Sequence, residues 1–115
     1  MSDARLNRQM LAELRAVMED EFNLLLETFF ADTEQRLEAI QAGLDEGKAE
    51  DFSRACHSLK GSASNLGLEQ LRVLCKQGED LGRQGSLEGA AAIVTRIRQE
   101  VSELEPLLRA EMAES

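Results

Sequence analysis

The chain has neither tryptophan nor tyrosine, one proline, one histidine and two cysteines in 115 residues. Each shortage removes a class of protein. Phe22, Phe29, Phe30 and Phe52 are the whole aromatic complement, so no stacking platform for single-stranded nucleic acid is in sight. Basic residues are also outnumbered: 13 Lys and Arg against 22 Asp and Glu give a net charge of −9, the wrong sign for a surface that must meet a phosphate backbone. Two cysteines are too few for a disulfide framework, and reduced thiols in a cytoplasmic protein are expected. One histidine with Cys56 and Cys75 does not make a ligand set, so no metal site is expected. No apolar run approaches the ~18 residues that cross a bilayer. The start, Met1-Ser2-Asp3, lacks a basic segment leading into an apolar one, so neither a membrane anchor nor a secretory leader is expected.

What is abundant is Ala, Leu, Glu, Gln and Arg, the best helix formers. The apolar spacing predicts an all-α domain spanning 1–115, with five helices. A short first helix, roughly 4–17, carries Leu6, Met10, Leu14 and Val17, with Ser2 or Asp3 as its cap. A second, about 20–44, carries Phe22, Leu25, Leu26, Phe29, Leu37, Ile40 and Leu44. A third, about 49–65, stops at Gly67, and a fourth, about 68–83, uses Leu71, Leu74, Cys75 and Leu81. The fifth starts at Ser86 and places Leu87, Val94, Ile97, Val101, Leu104 and Leu108 in bundle spacing. Pro106 lies within that pattern, and a kink or frayed end is expected there because proline removes a backbone donor. Short connections between long amphipathic helices imply an antiparallel four-helix bundle with an additional short N-terminal helix. One bundle accounts for the apolar stripes, so a monomer is expected.

The single histidine sits in "ACHSLKGSASNLG", Ala55 to Gly67. On a regular helix of about 100° per residue, Ala55, Cys56, Leu59, Ala63 and Leu66 fall within about 60° of Phe52, a clean apolar stripe. His57 falls at about 140° and Gly61 at about 180°, with Ser64 and Lys60 at about 120° and 80°. The imidazole therefore faces away from the core. A lone histidine on a solvated face is ordinarily just a surface residue. Two details point further. Gly61 follows one turn later on the same face, where glycine costs about 1 kcal/mol relative to alanine, and leaves room for something bulky. Lys60, at three-residue spacing, can swing its ammonium toward whatever the ring holds. A nucleophile, a gap and a cation suit an anionic group carried on the imidazole, because a neutral ring can attack phosphorus through its unprotonated nitrogen. Transfer of a phosphoryl group then depends mainly on positioning and electrostatics.

Means of loading that group from ATP are not evident. "GLDEGKA", Gly43 to Ala49, is one residue short of a phosphate-binding loop and has alanine where the hydroxyl belongs, and "GEDLGRQG", Gly78 to Gly85, has the wrong glycine spacing. Both read better as helix ends. Cys56 and Cys75 lie on core stripes and read as small buried hydrophobes. Arg72, Lys76 and Arg83 share one side of the fourth helix and read mainly as surface charge. The rival reading is an acidic helical adaptor that binds partners without phosphorylation, with His57 incidental.

"HSLKGSASNLG", His57 to Gly67, resembles the signature of histidine-containing phosphotransfer domains: His-x-x-Lys-Gly, a small residue two places on, and a closing glycine. The flanking "DFSRAC" and "LEQLRVLCKQGEDLGRQG" resemble the same family, and the resemblance covers essentially the whole chain. It implies a stand-alone phosphorelay intermediate, a covalent carrier rather than an enzyme, that takes a phosphoryl group from a receiver-domain aspartate of a hybrid sensor kinase and passes it to a response-regulator aspartate. The phosphoacceptor maps onto His57, the phosphate-facing lysine onto Lys60 and the access glycine onto Gly61. No cofactor is implied for this chain, magnesium belonging to the receiver. Arg54 and Ser64 are candidate docking residues beside the histidine. Leu24 and Phe30, roughly 200° and 80° from Phe22, either pack against neighbouring helices or form an apolar docking rim beside His57. One departure is Gly78 before Glu79, where many relatives carry a larger apolar residue, and looser packing behind the site is expected there.

Overall fold

The computed structural model describes residues 5–112. Five helices account for nearly all of them: α1 (Arg8–Met18), α2 (Glu21–Asp45), α3 (Ala49–Asn65), α4 (Glu69–Arg83) and α5 (Ala90–Met112). Helices α2 to α5 follow one another round a four-helix bundle, each against its sequence neighbour, and α5 closes against α2. The core is a single cluster in which Leu26, Ile40, Phe52, Leu59, Leu71 and Ile97 are fully buried. Its stripe on α3 is the one read from spacing: Phe52, Cys56, Leu59, Ala63 and Leu66 are all buried, with Ala55 at the margin.

The turns on either side of α3 are closed by the same device. Gly47 and Gly67 adopt φ of +68° and +69°, the left-handed conformation that only glycine takes without strain. The amides that follow reach back over the helix end, Lys48 N–H to the Gly43 carbonyl and Leu68 N–H to the Ala63 carbonyl, each at 2.9 Å. Two sharp reversals thus set α3 antiparallel to both neighbours.

The ends of the chain differ from expectation. The first helix begins at Arg8, not near residue 4, because the Asn7 side chain accepts from the Met10 amide at 2.9 Å and caps it. The expected caps, Ser2 and Asp3, lie outside the described residues. α1 covers one end of the bundle: Met10 and Asn7 sit against Gly67, and the Arg15 guanidinium lies 4.9 Å from the Phe22 ring centroid. Arg8 pairs with Glu111 at 3.2 Å, and Arg15 donates to the Glu111 carbonyl. The fifth helix begins at Ala90 rather than Ser86. Ser86 Oγ instead accepts from the Glu88 amide at 3.2 Å, and Gly89 at φ +82° interrupts helical geometry before it can propagate. Nor does α5 fray at Pro106, since it runs unbroken to Met112. The proline is exposed, and the turn beyond it is held by buried Leu108 and by the Arg109–Glu105 pair at 2.9 Å. Among the described residues no helix is long and apolar enough to cross a membrane.

Leu59 is fully buried two turns from Phe52 and one turn from Ala63. Leu59→Ala should therefore cost about 2–5 kcal/mol, measurable by urea denaturation, while leaving the helical signal of the folded protein intact.

Candidate functional site

α3 and α4 approach each other through small residues. A Cβ on Gly82 would lie 2.7 Å from the Ala49 carbonyl oxygen and 2.8 Å from Ser53 Cβ, and one on Gly78 would lie 2.7 Å from Cys56 Sγ. Neither glycine could carry a side chain at this spacing. Packing behind the site is therefore tight where Gly78 suggested looseness, because the cysteine sulfur fills the space a larger residue would claim. Ser53 Oγ donates to the Glu79 carbonyl at 2.9 Å and ties the two helices together at that level.

This closeness lets a side chain of α4 cross to α3. The Glu79 carboxylate is almost entirely buried, yet both oxygens are engaged: Oε2 lies 2.7 Å from His57 Nδ1, and Oε1 accepts from Lys60 Nζ at 2.6 Å. The Lys60 hydrogen bond holds the Glu79 carboxyl below its ordinary range, opposing the upward push of burial, and His57 adds to the lowering. An ionised carboxylate can only accept, so Nδ1 must carry the proton of the 2.7 Å bond. In the neutral ring that leaves the lone pair on Nε2. The imidazole is 65% exposed, so this nitrogen faces solvent. Beside it, a Cβ on Gly61 would meet nothing within 4 Å. One edge of the ring is fixed and the other is open.

His57 and Glu79 line an open groove of about 740 Å³ between α3 and α4, with Ser53, Arg54, Ser58, Gly82 and Arg83 around them. Arg54 is exposed and paired with Glu50 at 2.7 Å. Ser64 is exposed on α3 about two turns beyond His57. The remaining docking candidates fall elsewhere. α2 and α3 touch where Gly43 meets Phe52. At the rise of an α-helix, Leu24 then lies about 20 Å from His57 along the bundle, exposed on the outer side of α2. Phe30 lies in a separate groove between α2 and α5, under the Arg109 guanidinium at 4.4 Å and edge-on to Phe29. Neither forms a rim beside the histidine. Cys56 and Cys75 are buried free thiols, pushed up to about 12 chiefly by burial, with the charge of Glu79 adding to it. They are neutral packing groups. Among the described residues no cluster of three or more His, Cys, Asp or Glu could hold a metal ion.

Glu79 is the residue that sequence reasoning passed over. Its signal was present, for it shares the buried face of α4 with Leu71, Cys75, Gly78 and Gly82, and an acid on such a stripe needs a partner.

The ion pair makes stability depend on pH in one direction. Because the folded-state pKa of Glu79 is depressed, its contribution is present above the ordinary carboxylate range and fades as pH falls through the lowered value. Glu79→Gln should be less stable than wild type by about 1–3 kcal/mol at neutral pH. The gap should shrink as pH falls below the ordinary carboxylate range, with urea denaturation at neutral and acid pH as the measurement.

Comparison with known proteins places the fold in a family. The family model of the Hpt domain matches residues 24–106. The crystal structure of histidine-containing phosphotransfer protein B (HptB) from Pseudomonas aeruginosa PAO1 is similar, with a TM-score of 0.95 and 36% sequence identity over 99% of each chain. No curated protein matches in sequence. A family match over most of the chain and a similar structure along almost its whole length lead to one conclusion: the chain belongs to the Hpt domain family.

Proposed function

We propose that His57 is the residue on which this histidine phosphotransfer protein, a relay intermediate of two-component signalling, carries its phosphoryl group. The observation that supports this most is the state of the ring: Nδ1 is tied to a buried carboxylate while Nε2 is left exposed beside the bare turn at Gly61. In the forward step the Nε2 lone pair attacks the phosphorus of a receiver's aspartyl phosphate. The N–P bond forms as the P–O bond breaks, and the aspartate leaves as carboxylate. The Nδ1 proton stays on the ring, still donated to Glu79, so no proton need move. The onward step is the reverse, with a second receiver's aspartate as nucleophile. Lys60 contributes positive charge on the side where phosphoryl charge is spread, and Gly61 keeps that side open.

Receiver domains are the partners the family implies, those of hybrid sensor kinases upstream and of response regulators downstream. The protein acts as a carrier without an ATP site of its own, as a cytoplasmic monomer. Magnesium enters with the receiver. Docking centres on the groove around His57, with Arg54, Ser64 and Gly61 in the footprint and Arg83 on its α4 side. Leu24 joins only for a partner that reaches about 20 Å along the bundle. Phe30, held under Arg109 on another flank, serves α5 rather than the partner. The adaptor reading is not favoured, because it gives no role to a buried carboxylate that orients the single histidine.

Transfer from a phosphorylated receiver with magnesium, read by intact mass and acid lability, tests the reading. Wild type should gain an acid-labile phosphoryl group and His57→Gln none, with unchanged helicity. A label on the glutamine variant would place the chemistry on another residue. Gly61→Arg should fold normally, since a Cβ at this exposed position meets nothing within 4 Å, yet lose transfer by blocking the partner's approach. Its rate in the same assay decides.

A further inference from the structure

Lys60 stands in an odd place for a cation whose use is to meet phosphoryl oxygens. Its ammonium is not directed at solvent beside Nε2. It is seated on Glu79 Oε1 at 2.6 Å, and its side chain is only 22% exposed. A phosphoryl group on Nε2 projects from the ring edge opposite Nδ1, away from the carboxylate. We propose that Lys60 changes partner during the relay: it rests on Glu79 while His57 is bare and crosses to the phosphoryl oxygens once Nε2 is phosphorylated, with Glu79 keeping the Nδ1 proton throughout. This rests on the reading of His57 as the phosphoacceptor.

Three observations say which partner moves. Glu79 is fixed on its helix. Ser53 holds its backbone carbonyl at 2.9 Å, and Gly78 and Gly82 on either side leave no space toward α3. His57 is bound to that carboxylate through its second oxygen. Lys60, by contrast, lies on the same helix as His57, one turn on, with a flexible four-carbon stem. Gly61 beside it carries no side chain, and a Cβ there would meet nothing within 4 Å.

Charge supplies the drive. Attack by the neutral ring with Nδ1–H retained leaves an imidazolium whose N–H faces the Glu79 carboxylate, while the negative charge of the phosphoryl group lies on its oxygens at the other edge. Two anions would then compete for one ammonium. The phosphoryl group carries the larger charge, while Glu79 retains the Nδ1–H bond that satisfies its other oxygen. Glu79 is thus a positioning residue in two ways: it sets the tautomer of the ring, and it stores the cation close to where it is next needed. When the phosphoryl group departs to the next receiver, the ammonium returns to the carboxylate. The resting site is left neutralised rather than with a bare buried anion.

The test uses the full chain loaded from phosphoramidate, whose P–N bond breaks and releases ammonia as the N–P bond to Nε2 forms. Intact mass and acid lability report loading. NMR of the Lys60 ammonium and the Glu79 carboxyl carbon reports the pairing before and after, and the His57 Nδ1–H signal reports the tautomer. Exchange predicts that both Lys60 and Glu79 signals shift on phosphorylation while the Nδ1–H signal persists. Loading rates of Glu79→Gln, Lys60→Met and the double variant, each checked by circular dichroism, give an independent readout. If Lys60 meets the phosphoryl group directly, Lys60→Met slows loading about tenfold or more in the Glu79→Gln background as well as in wild type. If Lys60 acts only through Glu79, its removal has no further effect once Glu79 is gone, and the exchange is overturned. Phosphorylated wild type with its Lys60 signal unmoved overturns it too. Wild type that takes up no acid-labile phosphoryl group overturns the reading of His57 itself, and the exchange with it.

Discussion

The distance between α3 and α4 is the constraint on which the rest of the site depends. A glutamate side chain is short, and Glu79 can reach Nδ1 of His57 and Nζ of Lys60 together only because Gly78 and Gly82 let its helix lie against α3. Cys56 Sγ occupies the place where a side chain on Gly78 would point, and the Ser53 hydroxyl clasps the carbonyl of Glu79 itself. Helix contacts usually leave 8–10 Å between axes, set by the residues in between. Here α4 contributes two glycines to the contact, and the outcome is a buried carboxylate with two donors in place of an unpaired charge.

From that follows a division of labour within one imidazole ring. Its inner edge belongs to the fold, bonded to an acid that cannot move far. Its outer edge is exposed beside a helical turn with no side chain at Gly61. Fixing the proton on one nitrogen leaves the lone pair of a neutral ring on the other, the tautomer the proposed transfer needs. The overall charge of −9 gives no general attraction for an acidic surface, and the cations placed near the histidine are Lys60, Arg54 and Arg83.

How far the sequence could be read follows from the range of each interaction. The α3 stripe was legible because it repeats within one helix, and Phe52, Cys56, Leu59 and Ala63 came out buried as the period required. Boundaries that depend on single side chains were less so. Asn7 took the cap that Ser2 or Asp3 was expected to provide, and Gly89 delayed α5 beyond Ser86. Pro106 was tolerated because its missing donor falls on a solvent face of a helix anchored beyond it by Leu108. Leu24 and Phe30 were located by angle round their helix, with no measure of distance along the bundle or of which flank they faced. Glu79 was overlooked for a related reason: its partners lie 19 and 22 positions away in sequence.

The sequence by itself determined that this is a helical bundle, that His57 faces outward, and that Lys60 and Gly61 stand one turn from it. All three are consequences of the 3.6-residue period and of residues within reach of one another on one helix. Only the tertiary structure decided which nitrogen of that histidine is free, where the lysine rests, and that a glycine taken for a weakness is the contact that closes the site. Those properties depend on how near a second helix comes and which of its faces it turns, and that is set by side chains packed across the interface.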